Sequence, residues 1–337
     1  MGTSRTVTGW VAAVACAAIS VLPASARVVQ GWTLVDLGTL GGPGSYGAAV
    51  SNSGLVVGCS DVNAGAAHAF IYRNGVMQDL GTASDSTAGN SCALAVNNDG
   101  VVAGRSAAGD LVTWHDSTVT HLGVQGNIGG INDAGVVVGA YGQGASTRAF
   151  MYANGSLTAL GSDASSANGI NAVGEIVGTS NGRAFVYRDG AFIQLGTLGG
   201  NRSEAKGVND HGAVVGMSTD ANSQPRSFLY DHAMQALSAP SYLGAIAINN
   251  HGQIVGSGEG IHGFLIDGAT FVRLDTLPPV AAKGWRHLEP TGINGRGWIV
   301  GTGSDPEGNL RAFLLIPGTQ EISVKLADFR RDSRPGL

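Results

Sequence analysis

The chain has 337 residues, of which 43% are hydrophobic and 13% charged, so it can bury at least one sizeable core. Its formal net charge of -5 argues against nucleic acid as a partner, because phosphate recognition needs a basic surface. Glycine is the outlier at 54 residues, and since it follows no collagen-like triplet period, many tight turns are the better explanation.

Residues 1–26 have the features of a secretory signal peptide. One positive charge at Arg5 precedes an apolar run from Trp10 to Leu22 and a small-x-small site that ends at Ala26. A membrane anchor is the alternative, but the apolar run is shorter than the ~20 residues that span a bilayer. We therefore expect cleavage after Ala26 and a mature protein that is extracellular or periplasmic, has no membrane span and carries one positive charge fewer.

One sequence unit returns seven times. The stretch GINDAGVVVGAYG at 130–142 shows its core, in which a turn leads to Gly, three valines and a second Gly. The first glycines are Gly54, Gly100, Gly135, Gly174, Gly212, Gly252 and Gly297, and the second glycines are Gly58, Gly104, Gly139, Gly178, Gly216, Gly256 and Gly301. A period of about 40 residues indicates a repeat architecture.

Each unit contains four short strand candidates, which matches the size of a propeller blade. The first ends at Val or Ile, the second lies between the two glycines, the third is of the HAFIY type and the fourth ends at Leu. Asn precedes the first Gly by three positions in six units, which predicts a tight hairpin between strands one and two. For the second glycine we expect close backbone approach between sheets. The aromatic residue of strand three is expected in the core between blades.

The ends of the array predict how it closes. Residues 33–38, TLVDLG, match the fourth strand VMQDLG at 76–81, whereas the seventh unit lacks a fourth strand. We therefore predict an all-β fold, a seven-bladed β-propeller of four-stranded antiparallel blades over residues 33–318, in which the N-terminal strand completes the last blade. The polar segment 325–337 is predicted to be disordered.

The recurring motifs resemble those of the HAF-repeat family of extracellular bacterial proteins. They are DLGTLGG at 36–42, LGTLGG at 195–200, the Ile-Asn-x-x-Gly turn and the HAF triplet at 68–70. The resemblance implies secretion and repetition, and it supplies no catalytic residues, because the family has no established activity. Arginine replaces His68 in four units, and the second unit departs with DLVTW at 110–114.

The longest link between units, PPVAAKGWRHLEP at 278–290, is the candidate ligand site. It brings together Trp285, Arg286, His287 and Glu289 in a chain otherwise poor in such side chains. Aromatic rings stack on sugars or cations, and Arg and Glu form directed hydrogen bonds, so the group suits a glycan or an anionic polymer. The alternative is a solvated loop whose Trp packs against the blade rim.

Two cysteines, Cys59 and Cys92, remain after signal cleavage, and two alternatives stay open for them: a disulfide, or two buried free thiols. We expect no metal and no cofactor. Asn97-Asn98-Asp99-Gly100 lacks the full ligand spacing of a calcium loop, and the histidines lack zinc spacing. The loop carboxylates Asp61, Asp220, Asp305 and Glu307 are expected to be solvated. The arginine that begins strand three is expected to bond a neighbouring turn.

Two functions compete. The first is a monomeric, non-catalytic binding or interaction scaffold for an extracellular glycan or protein. The second is a carbohydrate-active hydrolase or lyase on the loop-rich propeller face, with Glu289 and His287 as acid and base. The sequence favours the scaffold, because the predicted first strands, which would line the axis, are small and apolar.

Overall fold

The computed structural model describes residues 31 to 318, apart from residues 64, 85–88, 162–163, 240–242 and 259–261. The predicted signal peptide at 1–26 and the predicted disordered tail at 325–337 lie outside the described residues. Across the described part, no helix combines the length and apolar character that a membrane crossing requires.

Regular structure is almost entirely β, as the alternation of short apolar runs and turn residues predicts. The strands are β1 (Trp32–Asp36), β2 (Gly41–Val50), β3 (Val56–Val62), β4 (Ala67–Arg73), β5 (Val76–Asp79), β6 (Cys92–Val96), β7 (Val102–Arg105), β8 (Asp110–His115), β9 (Thr118–Ile131), β10 (Val137–Tyr141), β11 (Arg148–Ala153), β12 (Ser156–Leu160), β13 (Ser165–Ile170), β14 (Ile176–Ser180), β15 (Arg183–Arg188), β16 (Ala191–Gln194), β17 (Gly199–Val208), β18 (Val214–Asp220), β19 (Pro225–Asp231), β20 (Ala233–Ala236), β21 (Leu243–Ile248), β22 (Ile254–Gly258), β23 (His262–Asp267), β24 (Thr270–Arg273), β25 (Arg286–Ile293), β26 (Ile299–Ser304) and β27 (Leu310–Pro317). Helical structure in the described residues consists of the short helix α1 (Pro278–Ala282) and two 3-10 turns, Gly144–Ser146 and Leu274–Thr276.

The strands form antiparallel sheets that follow the predicted units. Four sheets have the orders β2-β3-β4-β5, β13-β14-β15-β16, β17-β18-β19-β20 and β21-β22-β23-β24. The last repeat forms a sheet of order β25-β26-β27-β1. In this order the tight turns between strands one and two, and between strands three and four, share one end of every sheet. We call this the hairpin end, and we call the opposite end the loop end.

The second and third units share one strand, which the sequence does not predict. β9 pairs with β8 through residues 118–125 and with β10 through residues 126–131, so a single seven-stranded sheet runs from β6 to β12. The predicted link between Leu122 and Ile131 is the shortest in the array. It is too short to leave the sheet, and both of its halves find strand partners.

Every unit carries a bulge in its first strand, two residues before the strand ends. The extra residues are Ala48, Leu94, Gly129, Asn168, Lys206, Ile246 and Thr291. The second glycine of each unit lies beside this bulge. At Gly256 an added Cβ would overlap the carbonyl oxygen of Gly244 in the same sheet and approach Phe264 to 2.7 Å. The expectation of close approach between sheets is therefore wrong, because the closest backbone belongs to the glycine's own sheet.

The third-strand aromatics are buried, which confirms their predicted place in the core. They are Phe70, Phe150, Phe185, Phe228, Phe264 and Phe313, and each is fully buried. The second unit has no phenylalanine here, and the ring of Trp114 lies against Gly104 instead. Apolar second strands join these rings in clusters that bridge successive sheets; one cluster combines Ala69 and Ile71 with Val112 and Trp114. A large buried side chain contributes roughly 1.5 to 3 kcal/mol, so each interface between sheets adds substantially to stability.

The first strand of the chain lies in the last sheet. β1 pairs antiparallel with β27 over five residues, from Trp32 opposite Pro317 to Asp36 opposite Phe313. Leu34 points into the core cluster that also holds Phe313 and Leu315. The N-terminal segment therefore supplies the fourth strand that the seventh repeat lacks.

Candidate binding site

Buried asparagines connect successive units at the hairpin end. In each bond the side-chain Nδ2 of one asparagine donates to the backbone carbonyl oxygen of the corresponding residue in the next unit. The bonds run from Asn97 to Asn132 (3.2 Å), Asn132 to Asn171 (3.3 Å), Asn171 to Asn209 (3.0 Å), Asn209 to Asn249 (3.1 Å), Asn249 to Asn294 (3.0 Å) and Asn294 to Ser51 (2.9 Å). Between the first and second units, the Ser53 hydroxyl donates to the Asn98 carbonyl oxygen at 3.1 Å.

The same asparagines also close their own hairpins. The Oδ1 of Asn97, for example, accepts from the backbone N–H of Val101 at 2.9 Å. Both ends of each buried amide are thus engaged, as buried polar groups require. The sequence predicts the hairpin and misses the bond between units. These side chains build the scaffold. In the calcium alternative at Asn97-Asn98-Asp99-Gly100, the first ligand would be Asn97 Oδ1, and this atom already accepts a hydrogen bond from Val101.

The predicted ligand residues of the 278–290 link separate into core and surface. Trp285 is only 6% exposed and packs edge-on against Phe313, with ring centroids 6.5 Å apart. Its ring is covered by the core and does not offer a stacking face, so the predicted stacking role of Trp285 is wrong and the packing alternative describes it. Arg286, His287 and Glu289 lie exposed at the start of β25, and their part in binding stays a prediction.

The rest of this link fastens the N-terminal strand. Val280 of α1 is fully buried in the same cluster as Leu34 and Trp285. The Lys283 Nζ donates to the carbonyl oxygen of Leu34 at 2.8 Å, on the outermost strand of the last sheet. The insertion therefore holds β1 in place, which explains its length without a ligand.

Two loop carboxylates organise their own turns. Asp305 accepts from the backbone and side chain of Asn309 at 2.8 and 3.0 Å and from Arg311 Nε at 3.2 Å. Burial raises the pKa of Asp305, but the bonds from Asn309 and Arg311 outweigh burial and lower this pKa below its ordinary value. Asp220 is held in the same way by Gln224 and Arg226. The predicted bond from the strand-three arginine to a turn is confirmed in these two units. In the described part of the chain, no three His, Cys, Asp or Glu side chains gather as a metal site.

Cys59 and Cys92 form a disulfide between the first and second units, with Cα atoms 4.8 Å apart. The equivalent positions in the next pair of units are Arg105 and Asn127, and there the Arg105 guanidinium donates to Asn127 Oδ1 at 3.1 Å. Both contacts join strand two of one unit to strand one of the next, on the loop-end side of the bulge. One position in the repeat thus holds either a covalent or a hydrogen-bonded link between units.

A cavity of about 450 Å³ is lined by the first strands of all seven units. This volume falls within the usual range of small-molecule sites. Much of the wall is small or apolar, with Ala48, Leu94, Gly129 and Ile246 at four of the seven bulge positions. These four residues fit the small, apolar axis that the sequence predicts, whereas Asn168, Lys206 and Thr291 at the other three bulge positions contradict it.

Polar side chains interrupt this wall in the third to fifth units. They are Asn127, Ser166, Asn168 and Lys206, and Lys206 is the one charged residue among the described residues of the lining. The Lys206 Nζ lies 2.6 Å from Glu204 Oε1, and both side chains are partly exposed, at 38% and 41%. The Asn168 Nδ2 donates to the Ala205 carbonyl oxygen at 2.8 Å and to Glu204 Oε1 at 3.4 Å.

Hydrogen-bonding capacity remains unused in this polar segment of the wall. An ammonium has three donors, and Glu204 is the only described partner of the Lys206 Nζ. In the described structure, neither Asn127 Nδ2 nor the Ser166 hydroxyl has a partner either, although Asn127 Oδ1 accepts from Arg105. The buried asparagines at the hairpin end have their amides engaged with protein partners, so the loop-end half of the cavity is the candidate binding site.

Sequence reasoning misses these residues because a bulge changes which face of a strand each side chain occupies. A signal is nevertheless present. When the seven units are aligned on their first glycines, the position of Lys206 is small or apolar in four units, at Ala48, Leu94, Gly129 and Ile246, and polar but uncharged in two, at Asn168 and Thr291. Lys206 is the one charged residue at this position, and that charge marks a departure from the repeat.

No family model matches the chain, and neither does any curated protein. Solved structures do match. The structure described as YCF48 bound to D1 peptide is 14% identical, with a TM-score of 0.54, and the match covers 86% of this chain and 98% of that chain. An oligogalacturonate lyase in complex with manganese is 11% identical, with a TM-score of 0.51 and coverage of 79% and 87%. The WD40 domain of Toxoplasma gondii coronin is 9% identical, with a TM-score of 0.50 and coverage of 87% and 88%. At these identities the likeness concerns the fold alone, and together with the antiparallel four-stranded sheets it gives this chain a β-propeller fold.

Proposed function

We propose that the chain is a closed seven-bladed propeller that acts as a secreted, non-catalytic binding scaffold, with its ligand in the axial cavity. Closure is supported by contacts between the last and first units. The Asn294 amide donates to Ser51, the Thr291 hydroxyl donates to the Gly47 carbonyl oxygen at 2.9 Å, and the Ala312 N–H donates to the Ser45 hydroxyl at 3.0 Å. The same kinds of bond join neighbouring units elsewhere in the array. A lining drawn from all seven units fits the same arrangement.

The observation that carries the binding function is the unrepeated polar segment of the cavity wall. Asn127, Asn168 and Lys206 lie in three consecutive units and interrupt a wall that elsewhere is small or apolar apart from Thr291 in the seventh unit. A mostly apolar cavity with a few convergent polar groups is the usual form of a ligand site.

Export is supported by the disulfide as well as by the predicted signal peptide. Disulfides such as Cys59–Cys92 persist in oxidising compartments and are rare in reducing ones. An extracellular or periplasmic location would keep this link between the first and second units intact. The ligand would then be an extracellular glycan or protein.

Filling the cavity tests the binding function directly. Ile246 lines the cavity, and Ile246→Trp would occupy much of it. Val173, which is 71% exposed at a hairpin tip, provides the matched control Val173→Trp. On glycan and peptide arrays, we expect the parent protein and the control to share a binding profile that Ile246→Trp loses. A profile that survives Ile246→Trp in a folded protein would remove the cavity as the site.

The hydrolase or lyase alternative, with Glu289 and His287 as acid and base, stays a prediction. Glu289 lies exposed on β25. The carboxylate next to the cavity wall belongs to Glu204, and it is held in an ion pair with Lys206. The contacts around the cavity therefore favour binding over catalysis.

A further inference from the structure

Starting from the proposed function, we propose that the ligand of the cavity is a carboxylated sugar, and that Lys206 binds its carboxylate. The protein as a whole is acidic, with a formal net charge of -5, yet Lys206 is the one charged residue in the described lining of the cavity. A positive charge in a cavity attracts anions more strongly than the same charge on an open surface, and the Glu204 carboxylate at 2.6 Å offsets part of this attraction.

The unused hydrogen-bonding groups in the wall are chiefly donors. Lys206 Nζ keeps two N–H groups without a described partner, and Asn127 keeps its Nδ2 group. The Ser166 hydroxyl, in the unit between them, has no partner in the described structure and can donate or accept. A wall rich in donors requires a ligand rich in acceptors, and an ionised carboxylate offers two oxygens with about four acceptor sites and no donor.

The remainder of the cavity suits a sugar ring rather than an apolar acid. Asn168 keeps its Oδ1 without a described partner, so the wall can also accept a hydrogen bond from a hydroxyl group. Thr291 lies in the lining too, in the seventh unit, and because its hydroxyl donates to the Gly47 carbonyl oxygen, it can offer a ligand only an acceptor. Small residues such as Gly129 and Ala48 leave room between these polar groups. Amide and hydroxyl side chains around a compact space match the alternating donors and acceptors of a hydroxylated ring.

Glu204 is the partner of Lys206 when no ligand is bound. Its carboxylate holds the Lys206 ammonium at 2.6 Å and satisfies one of the three donors. An incoming carboxylate would share Lys206 with Glu204 or displace it. The Glu204 charge should therefore weaken the binding of an acidic ligand, so the two residues of the pair have opposite effects on affinity.

Calorimetric titration with trigalacturonic acid, and with its fully methyl-esterified form as a matched uncharged probe, tests the proposal. We expect the acid to bind more tightly than the ester. We expect Lys206→Met to lower the affinity for the acid about tenfold to a hundredfold, as the loss of a charged hydrogen bond implies. The affinity for the ester should be unchanged. Glu204→Gln should tighten acid binding about threefold, and Lys206→Arg should retain most of it. Arg73→Met, at the hairpin end, controls for loss of net positive charge.

The outcomes separate this inference from the proposed function. Equal binding of acid and ester that Ile246→Trp abolishes would overturn the carboxylate and leave the binding scaffold standing. Acid binding that Lys206→Met and Arg73→Met weaken equally would place the anion outside the cavity and overturn the role of Lys206. If neither probe binds and the arrays with the parent protein are also blank, the inference and the proposed function fail together. If neither probe binds while the arrays reveal another ligand, only the inference fails.

Discussion

The side-chain amide of Asn294 donates to the carbonyl oxygen of Ser51 across 2.9 Å, and so joins the last repeat to the first. The two residues are 243 positions apart in the chain, yet their bond is of the same kind as the one between Asn132 and Asn171 in neighbouring units. Each asparagine uses Oδ1 for its own hairpin and Nδ2 for the next unit. A substitution that removes the Nδ2 donor and keeps the oxygen therefore tests the bond between units separately from the bond within the hairpin.

Asn294→Asp removes the Nδ2 donor and keeps an oxygen that can accept from Arg296 and Trp298 in its own hairpin. We expect it to lower the free energy of unfolding by at least about 1 to 3 kcal/mol, since a buried carbonyl group loses its partner and a carboxylate replaces a neutral amide beside it. Asn132→Asp, at an interface between sequence neighbours, should cost about the same. Urea denaturation followed by tryptophan fluorescence measures both losses.

Asn222→Asp, at an exposed turn, is the control and should cost almost nothing. If Asn294→Asp behaves like this control while Asn132→Asp is costly, the bond from the last unit to the first contributes nothing in solution, and the closed ring loses its main support.

Gly256 and Gly252 lie in one unit and provide a second test, because the two positions require glycine for different physical reasons. Gly252 has φ +75°, and an added Cβ meets no described atom within 4 Å, so Gly252→Ala should cost about 1 to 2 kcal/mol of backbone strain. Gly256 has ordinary backbone angles, but a Cβ there would overlap the Gly244 carbonyl oxygen and crowd Phe264. Gly256→Ala should therefore cost about 3 kcal/mol or more. Thermal unfolding ranks the two variants, and equal losses would contradict the overlap at the bulge.

The fold was largely predictable because its determinants are local. The Asn-x-x-Gly hairpin, the alternating third strand and the Leu-Gly ending of TLVDLG at 33–38 each specify a strand or turn within a few residues. Repetition then fixes the order of the sheets. The shared strand β9 was not predicted, because a link of nine residues carries no signal that distinguishes a turn from a continued strand.

The candidate site was not predictable in the same way. The bulge at Lys206 has no sequence signature of its own, and it determines which side chains line the cavity. Trp285 misled for a related reason. Lys283 and Arg286 lie near it in sequence and are charged, whereas its neighbours in space include Val280 and Leu288 of the core. Local composition described the chemistry of the 278–290 link and could not show which of its side chains turn inward.

Low pH should destabilise the turn around Asp305. Hydrogen bonds from Asn309 and Arg311 hold the pKa of Asp305 below its ordinary value of 3.8, although burial alone would raise it. A carboxyl whose pKa is lower in the folded state stabilises the protein above the unfolded pKa, and this stabilisation is lost as the pH falls through the folded pKa. Asp305→Asn should therefore be less stable than the parent at pH 7, and the difference should shrink below about pH 4. Thermal unfolding between pH 3 and pH 7 measures this convergence, and a difference that stays constant across the range would contradict the role of the charge.

The disulfide between Cys59 and Cys92 gives the last prediction. The bond closes a loop with a sequence separation of 33 residues. Cross-linking a loop of this length removes enough entropy from the unfolded chain to contribute about 3 to 4 kcal/mol. Reduction, or the double variant Cys59→Ala with Cys92→Ala, should lower the free energy of unfolding by this amount.

The effect should also be local to the interface between the first and second units. The Ala69 N–H donates to the Ser91 hydroxyl at 2.9 Å across that interface, and the Ala184 N–H makes the equivalent bond to Ser203 elsewhere. Hydrogen exchange should speed up at Ala69 on reduction more than at Ala184, because the loss of the cross-link loosens the nearer pair of units first. Equal acceleration at both amides would mean that the disulfide acts only on the unfolded chain, and no change at either would mean that the Asn and Ser bonds between units suffice without it.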